Sequence, residues 1–402
     1  MKTIIQSMFR VLPAVALILL AGCEYDGPTA VYYQPYSTAE PPIIESVNPA
    51  EATGGVNLIT IHGANFSSVY EHNKVYIDGA PVDITEFSTT SLSVRRPNAS
   101  GDSTVIKVVN TEAAEYAEYS PYRITSVYET FGGFIEGNEL TSLAVDRDEN
   151  VYVVQSSPRM VFRISPEGER TEVGDPGVSV TDAVLAPDGD LVLLAGNRRI
   201  YKMDLATGVS DEWYENDGRK RVAYGDFDQY GNFYTGGSRT DLFVLHPDMT
   251  EEAVDQYSAF EIYDVRVYDD AVYVLAENTR PDSLDPVVAV WKNPITGAGT
   301  VGEKELVLDW ADTGVYADSM ALDMTFTSDR RLIIATNSPD PLFVLNLDDG
   351  SKDVFYKDII PPAAVQIVWG VRESMYMIQS ISESWDLLRI DMGAPGAPYY
   401  GR

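Results

Sequence analysis

The 402-residue chain is 45% apolar and 11% aromatic with 22% charged residues, a globular mixture that excludes disorder along its length. Its formal net charge of −32 excludes a nucleic-acid backbone as partner, because phosphates would be repelled rather than shed their counterions to Lys and Arg. The charge suits a solvated surface in an extracytoplasmic or saline setting, with a divalent-cation-rich acidic face as the alternative.

Met1, Lys2 and Arg10 flank and precede an apolar run from Val11 to Gly22, short for a membrane span and right for an export signal. Leu20-Ala21-Gly22-Cys23 resembles the bacterial lipobox. That resemblance implies a signal peptide over 1–22, cleavage before Cys23, and acylation of its sulfur and new amine. Several acyl chains together give stable anchoring, where one binds only marginally. Cys23 is the single cysteine, so no intramolecular disulfide can form. Glu24 and Asp26 resemble the surface-export signals of Bacteroidota-type lipoproteins. The expected address is the outer membrane, lipid-anchored, on its periplasmic or cell-surface side. Residues 23–40 carry Gly27, Pro28 and Pro35 without any period and predict a tether.

Residues 41–124 alternate short apolar strands with turn residues: Leu58–Ile61, Lys74–Ile77, Leu92–Val94 and Thr104–Val109. That pattern predicts a β-sandwich. The run Ser46-Val-Asn-Pro49, Gly54-Gly55, Ile59-Thr-Ile-His-Gly-Ala-Asn-Phe66 and Val75-Tyr-Ile-Asp-Gly79 is similar to the IPT/TIG family of immunoglobulin-like domains. The resemblance implies a spacer or interaction module without catalytic residues.

From 125 to 393 one unit recurs six times, about every 40 residues: apolar strand, polar turn, apolar strand, third strand. Leu143–Asp146 and Val151–Val154 open the first copy; Ile367–Trp369 and Met375–Ile378 open the sixth. Five copies carry a fourth-strand candidate and the sixth does not, which predicts that Val127–Phe131 closes the last blade. The expected fold class is all-β, a sandwich followed by a six-bladed β-propeller, with residues 394–402 as a tail. The units resemble NHL-type repeats and gluconolactonase-like propellers in stretches such as Leu143–Val154 and Val161–Glu169.

Chemistry is sparsely marked. His62, His72 and His246 have no ligand spacing, and no nucleophile elbow or phosphate loop stands at a strand-to-helix junction. Asp146, Asp148 and Asn150 match the start of a calcium loop, but Val151 replaces its glycine and the stretch coincides with a repeat turn. Aligning the six turns brings Ser142, Asp182, Tyr224, Asp264, Asp323 and Gln366 to the start of each innermost strand, facing the channel. Gluconolactonase-like enzymes hold a divalent metal at such positions, so the resemblance implies Asp182, Asp264 and Asp323 as candidate Ca²⁺ ligands. A metal there would polarise a lactone carbonyl and activate water. The competing reading is a wet channel whose polar side chains bond water and backbone. Trp385, Tyr399 and Tyr400 fall outside the repeat and are candidates for exposed rings that stack on sugars. The expected function is binding or scaffolding, as an accessory subunit of an outer-membrane complex or a glycan receptor. The alternative is a metal-dependent lactonase-like hydrolase at the channel.

Overall fold

A computed structural model describes residues 39–400 apart from 136, 217, 219, 239, 281–283 and 382–383. The signal segment, Cys23 and most of the tether lie outside the described residues. No helix among them is long and apolar enough to cross a membrane.

The protein is an immunoglobulin-like sandwich joined to a six-bladed propeller. In the sandwich, one sheet orders Ile43–Asn48, Leu58–Ala64, Ser91–Arg95 and Ile84–Phe87; the other orders Ala80–Val82, Asn73–Ile77, Gly101–Asn110 and Ala117–Ile124. Strand alternation builds the core: Ile59 and Ile61 are fully buried against Leu92, Val94, Ile106 and Val108, while Leu58 and His62 point outward. Gly63 is required by crowding, since a Cβ there would sit 1.8 Å from the Ile43 carbonyl oxygen.

The inner strands of the six blades begin at Leu140, Asp182, Tyr224, Phe260, Ala321 and Ala364. Each blade then runs outward by antiparallel pairing, and the fourth carries an extra hairpin at Thr300–Val301. The sixth blade takes its outer strand from upstream: Tyr128–Thr130 pairs with Ser384–Asp391 in the register Tyr128↔Ile390, Glu129↔Arg389 and Thr130↔Leu388. Apolar residues from adjacent blades share cores. Ile333, Leu342 and Val344 of the fifth pack with Ile367, Trp369 and Met377 of the sixth; Tyr376 and Ile378 of the sixth pack with Leu143, Val151 and Val153 of the first. Burying a side chain of this size stabilises by about 1.5–3 kcal/mol, and a lone four-stranded sheet would leave one face of them wet.

Two faces follow from this topology. The upper face carries the starts of the inner strands and the hairpins joining second to third strands. The lower face carries the repeat turns. Asp146 of the first turn accepts from the backbone N–H groups of Asp148 and Asn150 and from the Asn150 side chain. Asp228 of the third turn does the same with Tyr230 and Asn232. These carboxylates are used in closing turns.

The two domains are fastened at the rim of blades five and six. Buried Tyr356 accepts from the Gly55 N–H (2.6 Å), donates its hydroxyl to the Asp391 carbonyl, and gives its own N–H to Asn57 Oδ1 (2.8 Å). Arg95 pairs with Asp353 at 3.2 Å, and buried Arg96 donates to the Thr53 and Thr125 carbonyls beneath the Tyr356 ring.

Candidate functional site

The six positions read from the turns lie on the channel wall in equivalent places, each paired to the second strand of its blade: Ser142↔Val154, Asp182↔Leu194, Tyr224↔Gly236, Asp264↔Leu275, Asp323↔Ala335 and Gln366↔Ile378. In blades one, four, five and six a register shift just ahead of the ring residue leaves one residue unpaired and turns the next inward. Five of the six are buried; Tyr224 is half-buried.

Several of these side chains stitch neighbouring blades. Asp264 Oδ1 accepts from its own following N–H at Val265 and Oδ2 from Met324 of the next blade, both at 2.8 Å. Asp323 accepts from Ile367 at 2.7 Å, and Gln366 accepts from Leu143 at 2.7 Å while donating to Asp182 at 2.8 Å. In the third blade the ring residue is Tyr224, which has no carboxylate, and Asp226 two residues on bonds Val267 at 2.8 Å instead. Buried inner-strand amides would otherwise lack partners, each at a cost of about 1–3 kcal/mol.

At the centre lies Arg266, on the same face of its strand as Asp264. Its guanidinium stands 3.1 Å from Asp264, 3.0 Å from Asp323 and 3.9 Å from Asp182, and also donates to the Met324 carbonyl. Burial works against its charge, but the carboxylates of Asp264, Asp323, Asp182 and Asp226 outweigh it and hold the guanidinium protonated well above its usual range. Burial likewise pushes Asp182 up to about 7 and Asp226 up to about 6 against the pull of Arg266. Asp323 rises well above the usual carboxylate range through burial and the neighbouring Asp264.

The three Asp expected as Ca²⁺ ligands are brought together, around a side chain of the protein itself. Asp182, Asp264 and Asp323 converge as a cation-binding ring would, but the cation they face is Arg266, and Asp264 and Asp323 also accept from backbone N–H groups of the next blade. Among the described residues no group of three or more His, Cys, Asp or Glu is placed to hold a metal. Alternation at period two could have found Arg266 and Asp226, since each stands two residues past a ring position on the same face.

The lower mouth of the channel is closed by the tail. Tyr399 hydroxyl accepts from the Phe326 N–H (3.0 Å) and bonds Thr325 Oγ1 (2.9 Å); Ala397 N–H reaches the Phe326 carbonyl, and Trp369 Nε1 reaches the Ala394 carbonyl. Tyr400 packs against the core of the fourth blade, and Trp385 lies against the cluster shared by blades six and one. The three rings expected to be exposed are thus half-buried: Tyr399 and Tyr400 because the tail folds onto the disc, and Trp385 because it stands inside the repeat, in the third strand of the sixth blade. The pocket between Arg266 and the tail, lined by Ala144, Val184, Asp226, Arg266, Thr325 and Tyr399 among others, is about 50 Å³. Ligand sites usually offer about 300–1,000 Å³.

A larger opening lies off the axis. On the upper face between blades two and three, Asn197, Arg198, Arg199, Tyr201, Gly218, Lys220 and Arg221 line an open cleft of about 520 Å³.

Residues 42–125 match the IPT/TIG domain model. No curated protein matches the chain. Among solved structures, a protein of unknown function from Bacteroides thetaiotaomicron VPI-5482 aligns with a TM-score of 0.53 at 14% identity, covering 89% of this chain and 99% of its own. An auxiliary nutrient binding protein from the same organism aligns at 0.52 and 14% identity, covering 87% and 97%. A putative gluconolactonase aligns at 0.51 and 14% identity, covering 68% of this chain and 94% of its own. At these identities the likeness is one of fold.

Proposed function

We propose that this protein is a lipid-anchored extracytoplasmic binding protein, an accessory subunit of an outer-membrane complex that presents its propeller as a recognition platform. The observation that carries the reading is the occupied channel. Where an enzyme of this architecture would need an open polar centre, Arg266 stands among four carboxylates, and the pocket between it and the tail holds about 50 Å³. The upper face, by contrast, exposes Leu284, Val287, Val315, Met320 and Ile381 on the loops of blades four to six. Apolar groups gathered on one face favour contact with another protein surface. A structural relative described as an auxiliary nutrient binding protein, aligned over most of both chains, supports this reading.

The anchor is Cys23, with the sandwich as a spacer that holds the disc at a set angle to the membrane. Isolation of the native protein in mild detergent tests the whole reading: an outer-membrane component is expected to co-purify, and Cys23→Ala is expected to abolish acylation and membrane retention. A protein recovered alone from acylated, intact membranes would refute it. The hydrolase alternative, metal-dependent lactone cleavage, predicts turnover of a lactone panel with Ca²⁺ that is lost in Asp264→Asn; the platform reading predicts none.

A further inference from the structure

We infer that the end of the sandwich remote from the propeller seats on a zwitterionic lipid surface through Val69, Tyr70 and Phe87. The inference rests on the lipid-anchored reading and names the part of the anchored molecule that meets the bilayer.

Strand pairing fixes which end is which. At the near end Gly55, Asn57 and Arg95 bond Tyr356 and Asp353 of the propeller. Leu58, paired with Arg95, starts the strand Leu58–Ala64 there, and at about 3.3 Å per residue that strand ends about 20 Å away. Ala64 pairs with Ile43, the Phe66 N–H bonds the Thr89 carbonyl at 3.2 Å, and the Thr111 N–H bonds the His72 carbonyl at 2.9 Å. Residues 64–73, 87–91 and 110–113 therefore share the far end. Six large apolar side chains of the sandwich are exposed. Leu58 stands at the propeller end; Ile43, Val69, Tyr70, Phe87 and Tyr116 stand at the other, each 42–54% exposed. A lone residue of this kind is ordinary on a surface, whereas five of six at one end mark a contact.

The patch is held in shape. The rings of Tyr70 and Phe87 meet edge to face with centroids 5.6 Å apart. Buried Asn73 accepts from the Ser67 N–H (2.9 Å) and donates to the carbonyls of Ser67 (2.8 Å) and Val69 (3.2 Å), clamping the loop that carries Val69 and Tyr70. A loop fixed in advance has little freedom to lose on docking. Tyr70 offers an apolar ring with a polar tip, the chemistry of the headgroup layer.

The place where the chain arrives selects lipid as the occupant. Ala39 bridges Ala113, and the Asn65 amide bonds the Pro41 carbonyl at 2.9 Å, both at the far end. Only residues 24–38 separate Ala39 from Cys23, so the anchor lies at most about 60 Å from Ala39. A patch tied this close meets the bilayer at high effective concentration, and contacts too weak to recruit a free protein suffice. Exposed Glu71, Glu86, Glu112 and Glu115 surround it and select the lipid, since their charge repels anionic headgroups.

The test uses the acylated full-length protein in phosphatidylethanolamine–phosphatidylcholine bilayers whose acyl chains carry bromine, which quenches indoles that reach it. Trp213, Trp291, Trp310, Trp369 and Trp385 are all on the propeller, so the wild type is expected to show no quenching. Tyr70→Trp is expected to lose emission relative to bromine-free bilayers, and Leu58→Trp to lose none. Adding Val69→Ser and Phe87→Ser to Tyr70→Trp should restore most of the emission with melting unchanged. Phosphatidylglycerol should weaken the quenching at low salt, where charges act over a longer range. Undiminished emission of Tyr70→Trp in a protein that is acylated and retained overturns the docking and leaves the anchor standing. Quenching of Leu58→Trp to the same extent overturns it too, and so does a dimer in detergent that Val69→Ser with Phe87→Ser abolishes, which would give the patch to a second copy. A protein that is not acylated at Cys23 removes the anchor reading, and the docking with it.

Discussion

Arg266 decides what the channel is. A buried cation faced by Asp182, Asp226, Asp264 and Asp323 is strongly stabilising to keep and costly to remove, because each carboxylate would be left in a low-dielectric site. Arg266→Met is therefore expected to lower unfolding free energy by about 3–5 kcal/mol at pH 8, read by denaturant titration. The pH dependence has a definite sign. Asp182 titrates near 7 and Asp226 near 6 in the folded protein, above the value of an unfolded aspartate at about 3.9. Between those limits the native state binds more protons than the unfolded one, so these groups favour folding at low pH and that contribution is lost as pH rises through 7. The denaturation midpoint of the wild type should accordingly rise as pH falls from about 8 to about 5.5. Asp182→Asn keeps an oxygen to accept from Ala183 and Gln366 and should flatten the upper part of that slope. A slope unchanged in Asp182→Asn would show that another group carries it.

At the scale of strands, the ring depends on a borrowed segment. Tyr128–Thr130 covers the edge of Ser384–Asp391, and Glu129 pairs with Arg389 across it. An uncovered strand edge is a template for pairing with another chain. A chain starting at Ser126 is expected to remain a monomeric disc, whereas one starting at Gly132 should self-associate; size exclusion distinguishes them, and equal behaviour would remove the role given to this strand. This segment was legible in the sequence because five units carried a fourth apolar strand and the sixth did not. The ring positions were legible too, since turn spacing and period-two alternation fix which side chains face the axis. What the ring holds was not. An aspartate beside a channel reads as a metal ligand until the guanidinium that satisfies it is placed there, and Arg266, between Val265 and Val267, gives no local sign of its partners on three other blades. The tail was misread for the same reason: Tyr399 meets Thr325 and Phe326 only across 73 or more residues of chain.

Over the whole molecule, the contact between sandwich and propeller determines whether the protein is two bodies on a string or one. Gly54 and Gly55 lie against Met392 and Gly393 with no room between them. A Cβ on Gly393 would sit 2.3 Å from the Gly54 carbonyl oxygen, and its φ of +63° belongs to the region that disfavours side chains. The Tyr356 hydroxyl bridges the two backbones at the same place. Bonds of this kind hold only while both domains are folded, so they should couple the two unfolding events into one cooperative transition. Gly393→Val would push the backbones apart and leave the Gly55 N–H and the Asp391 carbonyl to find water, while touching neither core. Differential scanning calorimetry is then expected to resolve one endotherm in the wild type and two in Gly393→Val, the sandwich and the disc melting separately. Tyr356→Phe should lie between, lowering the melting point of the joint transition by a few degrees, as losing about 1–3 kcal/mol would in a protein of this size. Two separate endotherms already in the wild type would mean that the domains are tethered but not coupled, and the set angle proposed for the disc above the membrane would go with that coupling.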